Sequence, residues 1–504
     1  WENVSEGCGE IALIIGEPGI GKTRLLRVFE ERIKDEPHTW LICRCISYYK
    51  NSAFYPIINL MNSQLRFGKQ ETIGEKLKKL EEALAIYDFD LNETVPIMAS
   101  LLSIPISKPY SAISLTPQKQ KEKTIQILLN WLIKTAHKSP LLFVIEDVHW
   151  ADSSTLEHFT LLMEKIDQAQ ILIILTFHPR FYPPVNEKSR LTEIYLNRLA
   201  RQQIEHMVQE VTGGKILPAE VIDLLLSKTD GVPLFVEELT KMLLESEYLI
   251  EEDKQYKLKR SLPKTAIPDT LQDTLMARLD QLGAVKEVVQ FAAIIGREFS
   301  YELIRAVISL DEDTLKRELN GLVEADILDL QDDPQHIRYI FKQALIQDAA
   351  YNSLLKSKRQ EHHRKIAQIL EKQFKDLVHT HPQIVAHHYT GAGYFDRAIE
   401  YHLKSGRLLV QQSANREAIG QLRKGLKLLE HIDDEKKRNQ LELDLQITLG
   451  IPLLATKGYG AEEVGKVYER ARELSQKVGD IPQLFPALVG QYRFYLIRGD
   501  IIIA

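Results

Sequence analysis

Between the apolar run Ile11–Ile15 and the helical pattern Lys22–Ile33 lies Gly16-Glu17-Pro18-Gly19-Ile20-Gly21-Lys22-Thr23-Arg24. Gly16, Gly21, Lys22 and Thr23 satisfy G-x-x-x-x-G-K-[ST]. The glycines let backbone N–H groups close on phosphate oxygens where a Cβ would clash. A helix starting near Lys22 adds its positive end. The spacing predicts a strand, a phosphate-holding loop and a helix. Residues 16–24 then cradle a nucleotide, with Lys22 toward its β and γ phosphates and the Thr23 hydroxyl toward Mg²⁺.

Such a loop needs an acidic strand end to hold Mg²⁺ and position water. Leu141–Ile145 followed by Glu146-Asp147 supplies one. The first acid is expected to hold Mg²⁺ and the second to polarise attacking water. Glu146 is longer than the usual Asp, so the two roles are exchangeable. His149 either contacts phosphate or water, or packs beside Trp150. Asp152 reads as a helix cap rather than a catalytic acid, and Ser154–Glu157 has capping-box spacing.

Further strand candidates are Trp40–Ser47, Ile171–Thr176 and Thr192–Leu196. Strands alternating with helices predict a parallel sheet with helices on both faces. Residues 55–139 read as helical, broken at Pro96, Pro105, Pro109 and Pro117. Helical pattern runs over Arg201–Leu249, with Gly231-Val232-Pro233 as a turn, and the charged residues 251–268, with Pro263 and Pro268, read as a hinge. Helices near 269–282, 285–295 and 311–325, with a hairpin of Ile327–Leu330 and His336–Phe341, suggest a winged helix. Beyond residue 343 amphipathic helices alternate with short turns. Asp396-Arg397-Ala398-Ile399 recurs as Arg416-Glu417-Ala418-Ile419, a weak repeat that points to an α-solenoid. The offset of 20 is not the 34 of a full tetratricopeptide repeat, so the expected division is a P-loop ATPase at 1–200, a helical lid at 201–255, a winged helix at 256–345 and a solenoid of degenerate, tetratricopeptide-like repeats at 346–504.

The net charge of −6, with both signs interspersed, offers no footprint for nucleic acid or anionic membrane. No apolar run approaches the roughly 18 residues of a spanning helix. Cys43 and Cys45 lie two apart in a strand-like run with no second pair for a metal, so buried thiols in a reducing cytoplasm are expected. Both ends of the chain read as cut from something longer.

GEPGIGKTRLL, FVIEDVHWAD and TDGVPLFVEELTKML together resemble the signal-transduction ATPases with numerous domains. LQDTLMARLDQL, FKQALIQDAAYNSLL and the run from LELDLQITLGIPLLATKGYGAEEV to FPALVGQYRFYL narrow the likeness. They are similar to the ATPase-plus-repeat region of bacterial class III adenylyl/guanylyl cyclases and of soluble adenylyl cyclase. The resemblance implies an ATP/ADP switch that hydrolyses slowly and controls an output domain outside this chain. In it Pro233 lies near the adenine, the repeats sense a protein partner or ligand, and nucleotide drives assembly. The winged helix is not expected to bind DNA, and Asp311–Asp326 carries six acids against Lys316 and Arg317. The alternatives are a scaffold that holds nucleotide without hydrolysis and the regulatory half of a transcriptional regulator.

Three departures stand against the family pattern. His178 occupies the usual arginine position after the fourth strand, with Arg180 two places late. Gln343 replaces a histidine. The Gly-Arg-Glu segment that the family places before the P-loop strand is missing. His379, His381, His387 and His388, preceded by His362-His363, make a zinc site conceivable, but the simpler reading is histidines on a helix surface.

Overall fold

The computed structural model describes all residues except 68–70, 107, 112–114, 186–189, 260–267, 282–284, 334–335, 480 and 500–504. The apolar runs become five strands: β1 (Glu10–Ile15), β2 (Thr39–Arg44), β3 (Leu141–Glu146), β4 (Ile171–Phe177) and β5 (Leu191–Tyr195). They form one parallel sheet in the order β2-β3-β4-β1-β5. Every residue of β3 and β4 is buried, as a strand covered on both faces requires. Strand alternation divides their side chains between two cores. Leu141, Phe143, Ile145, Ile173 and Leu175 face one, while Leu142, Val144, Leu172 and Ile174 face the other with Leu26 and Ile33.

The helices around this sheet are α1 (Glu2–Ser5), α2 (Lys22–Ile33), α3 (Tyr55–Leu65), α4 (Ile73–Ala85), α5 (Leu91–Leu101), α6 (Pro117–Lys138) and α7 (Ser153–Met163). Pro96 lies inside α5 rather than breaking it, buried in the core with its neighbours. Packing of that apolar turn outweighs the one backbone bond a proline removes. Pro117 instead opens α6, where no N–H is needed. The expected capping box at 154–157 is displaced: Asp152 is the N-cap of α7, and Ser154 is already helical and fully buried. Cys43 and Cys45 are buried free thiols, although β2 ends before Cys45.

Helices α8 (Arg201–Val211), α9 (Ala219–Thr229) and α10 (Pro233–Glu245) share a small core with Leu249. The expected hinge is a hairpin, β6 (Leu249–Glu252) with β7 (Gln255–Leu258), for its Tyr256 and Leu258 pack onto that core. Pro263 lies outside the described residues. Next come α11 (Leu271–Gln281), α12 (Val285–Ile295), β8 (Glu298–Ser300), α13 (Tyr301–Val307), α14 (Glu312–Glu324), β9 (Leu328–Asp333) and β10 (His336–Phe341). The antiparallel order β8-β10-β9 contains the expected hairpin. Strand β8 and helix α13 are additions too short for periodicity to reveal; the Ser300 hydroxyl caps α13 by accepting the Leu303 N–H at 3.2 Å.

The remainder is helical: α15 (Ala344–Asn352), α16 (Lys356–Gln373), α17 (Lys375–Thr380), α18 (Pro382–Ala392), α19 (Phe395–Gln411), α20 (Asn415–Leu428), α21 (Glu435–Lys457), α22 (Glu462–Val478) and α23 (Ile481–Arg498). One core runs from Leu275 in α11 to Tyr401 in α19, so the winged element and the first solenoid helices bury each other. The repeated Ala-Ile pairs open α19 and α20, and Ala398 and Ala418 are both fully buried where helices meet.

The solenoid folds back onto the sheet domain. Gln383 donates to the Ser52 hydroxyl at 2.7 Å, and Glu417 accepts the Ser154 N–H at 2.7 Å at the start of α7. Asp152 stands beside Glu417, accepting the N–H groups of Phe54 at 3.0 Å and Thr155 at 2.9 Å. Burial first, and then the Glu417 charge, push the Asp152 carboxyl up to about 7. A carboxyl whose folded pKa exceeds its unfolded value of about 3.9 binds more protons folded than unfolded. Its contribution to stability is therefore lost as pH rises from about 4 through about 7. Glu417→Gln should flatten that part of the stability–pH profile, measured by urea unfolding at a series of pH values.

Candidate functional site

The P-loop leaves the carboxyl end of β1, and Glu146-Asp147 leave the same end of β3, with β4 between them. Gly19 and Gly21 have φ of 78° and 106°, a conformation that costs other residues strain. Gly16 and Ile20 are buried, while Glu17 and Pro18 are exposed. The first backbone bond of α2 runs from the Leu25 N–H to the Gly21 carbonyl. The N–H groups of Lys22, Thr23 and Arg24 precede it and have no partner within the helix. Thr23 and Arg24 stand exposed at this helix start. The Lys22 ammonium donates to the Gly16 carbonyl at 2.8 Å and the Glu17 carbonyl at 3.1 Å. Burial holds the Lys22 pKa below its ordinary value; Asp147 opposes that shift, Arg297 adds to it and Glu146 opposes it more weakly.

The two adjacent acids have different surroundings. Glu146 is the last residue of β3, in register with Arg44 of β2, and its carboxylate accepts the Arg44 Nε–H at 2.9 Å. Asp147 turns out of the strand with φ of 54°, its N–H held by the Thr176 hydroxyl at 3.0 Å. Its carboxylate pairs with the Arg297 guanidinium at 3.0 Å. Asp147 is thus tied to Arg297 and acts on the Lys22 charge more strongly than Glu146, which is tied to β2 through Arg44.

His149 packs against Trp150, with ring centroids 4.9 Å apart, and its Nδ1 is buried without a partner among the described residues. Burial lowers its pKa, against the pull of Asp147 and with the push of Lys22. Arg297 Nε is likewise buried and unpartnered among the described residues. Two orphaned polar nitrogens within electrostatic reach of Lys22, with the N–H groups at the start of α2, suit an anionic group beside the loop. His178 lies 6.4 Å from His149, ring to ring, and its Nδ1 accepts the Arg180 N–H at 3.2 Å.

The Gly231-Val232-Pro233 turn meets the loop directly. Pro233 opens α10, and the Leu234 N–H donates to the Gly19 carbonyl at 3.2 Å. Gly231 has φ of 71°, and a Cβ there would stand 2.5 Å from the Leu199 carbonyl oxygen. Gly231→Ala should cost about 1–3 kcal/mol in thermal or urea unfolding through strain and clash. Arg198 joins this turn to the loop, bonding Glu17 at 3.0 Å and pairing with Asp230. Sequence reasoning missed Arg297, Arg44 and Thr176. Thr176 and Arg44 end strands whose carboxyl edge bears the loop, a signal that was readable. Arg297, between α12 and β8, lies far along the chain and meets Asp147 only in the fold.

Residues 1–174 match the family model described as the AAA ATPase domain. The chain is 25% identical over 501 residues to an uncharacterised protein of Rhizobium meliloti, covering 97% of this chain and 47% of that protein. It is 22% identical over 403 residues to adenylate cyclase type 10 of Rattus norvegicus, covering 70% of this chain and 25% of the cyclase. The chain thus spans less than half the length of these curated relatives. Among solved structures, a signal-transduction ATPase with numerous domains that carries a tetratricopeptide-repeat sensor, from Pyrococcus horikoshii, aligns over 99% of this chain and 74% of its own, with 14% identity and a TM-score of 0.41. Residues 1–174, which carry the P-loop and the acidic end of β3, are thus similar to the AAA ATPase domain.

Proposed function

We propose that the chain is the nucleotide switch of a larger signalling protein, binding ATP or ADP with Mg²⁺ at the P-loop and hydrolysing ATP slowly. The observation that carries this reading is the Asp147–Arg297 ion pair, which joins the loop's acid to the winged element. In it, the N–H groups of residues 16–24 and the Lys22 ammonium hold the β and γ phosphates, and Pro233 borders the adenine. The Thr23 hydroxyl and the acidic strand end would hold Mg²⁺, which supplies charge neutralisation at the phosphates. Asp147, the acid that acts more strongly on the Lys22 charge, suits the polarising of water, while Glu146, half committed to Arg44, suits an outer hold on the ion. A ligand that draws Asp147 away from Arg297 loosens the tie between the sheet domain and the helices beyond it. That gives occupancy of the loop a route to the solenoid.

The site favours a second reading at one point. On the family pattern His178 takes the place of an arginine, and an imidazole offers a γ phosphate fewer donors than a guanidinium. A scaffold that keeps its nucleotide unhydrolysed follows if Arg297 does not take that place. Single-turnover measurement separates the two: ADP formation that Asp147→Asn abolishes supports the ATPase, and ATP that stays intact supports the scaffold. The output is proposed to be a cyclase-type domain outside this chain, on the similarity to adenylate cyclase type 10. The solenoid is proposed to take a protein partner or to drive nucleotide-dependent assembly.

A further inference from the structure

Three histidines of the solenoid meet where α16 crosses α18. His363 of α16 is fully buried, His388 of α18 is 1% exposed, and His387 reaches the surface. This differs from the expected helix-surface histidines: adjacency sends the His387 and His388 rings about 100° apart, and His363 fills the angle between them. The His363–His387, His363–His388 and His387–His388 ring centroids lie 5.4, 5.1 and 5.4 Å apart. Each ring offers one nitrogen, and the three nitrogens all lie within 4.8 Å of one another. His379, His381 and His362 are not part of this group among the described residues.

The triangle has the dimensions of a metal site. With metal–nitrogen bonds of about 2.0–2.1 Å, three tetrahedrally placed imidazoles have ring centroids about 5.2 Å apart and ligand nitrogens about 3.3 Å apart. The centroids already match. His363 Nδ1 and His388 Nδ1 are 2.9 Å apart, a distance at which two neutral rings share one proton. Replacing that shared proton by a cation needs an opening of about 0.4 Å and a tautomer shift of whichever ring carries the Nδ1 proton. His363 Nε2 is bonded to the Tyr351 hydroxyl at 3.1 Å, the outer partner that fixes a ligating imidazole's orientation. Gly391, one turn after His388, makes room for the arrangement: a Cβ there would stand 2.6–2.7 Å from the His363 ring.

From this geometry we propose that His363, His387 and His388 form a binding site for a divalent transition ion of borderline softness, Zn²⁺ or one like it. Three neutral imidazoles without a carboxylate select such an ion over Mg²⁺ or Ca²⁺. The fourth position is left to water or to a group carried by a partner. Binding fixes α16 to α18 at the base of the solenoid.

The test uses the full chain free of nucleotide, titrated with Co²⁺ as a spectroscopic stand-in for Zn²⁺. One equivalent should develop the intense visible bands of a tetrahedral ion, and Zn²⁺ should displace it. His387→Ala removes a surface ligand, so its metal-free melting temperature should match the wild type while stoichiometric Co²⁺ binding disappears. His388→Gln should lose binding as well. The proposal is overturned if the wild type takes up neither ion at micromolar concentrations, or if His387→Ala binds one equivalent with the same spectrum.

Discussion

Lys22→Ala is expected to abolish nucleotide binding. In the wild type, ATP with Mg²⁺ at about 100 times its Kd should stabilise the folded protein by about 2.7 kcal/mol, visible as a rise in melting temperature. The variant should show no rise at the same concentration. The ammonium rests on the loop's own carbonyls, Gly16 and Glu17, with burial lowering its pKa. Phosphate oxygens offer it full negative charge in place of two carbonyl dipoles, so the interaction gained on binding is large. Truncation at Lys22 removes that charge while leaving Gly19 and Gly21 to set the loop's shape, so metal-free and nucleotide-free stability should change little. A rise of equal size in both proteins would place the ligand elsewhere.

The second large effect concerns Asp147. Asp147→Asn should slow single-turnover hydrolysis by about 10²-fold or more, the range for removing a group that moves or orients the reacting proton. Of the two acids it acts more strongly on the Lys22 charge, and asparagine keeps the size and the Thr176 contact, which is made by the backbone N–H. The same change weakens the pairing with Arg297. Nucleotide should therefore exchange as fast as in the wild type or faster, even though turnover falls. Glu146→Gln should behave differently: part of its effect appears as lost stability, because Glu146 is buried against Arg44. Following ADP formation and the unfolding midpoint together in both variants distinguishes the two acids.

Much of this was legible before any coordinates, and the reasons are physical. Strands β3 and β4 are continuous apolar runs because both their faces are covered, and those runs stand in the sequence as Leu141–Ile145 and Ile171–Thr176. The loop is legible because its glycines and Lys22 are dictated by backbone geometry at fixed spacing. Asp152 as a cap followed from local chemistry, and its neighbours confirm it. What escaped is what tertiary packing decides. Pro96 stays helical because α5 is buried. The charged run after Leu249 became a hairpin because two of its alternate residues reach a core that the run itself does not reveal. Arg297 meets Asp147 across 150 residues of sequence, and no spacing rule connects them. The histidines were visible as a cluster, but His363 lies on a different helix from His387 and His388, so the triangle they make belongs to the fold.

The P-loop site is proposed to carry an adenine nucleotide. This is tested most directly by equilibrating the protein with ATP and Mg²⁺, removing free ligand, denaturing the chain and counting the nucleotide released. The expected count is one ATP or ADP per wild-type chain and none from Lys22→Ala. A wild-type chain that releases no nucleotide, or a Lys22→Ala chain that releases as much as the wild type, would contradict it.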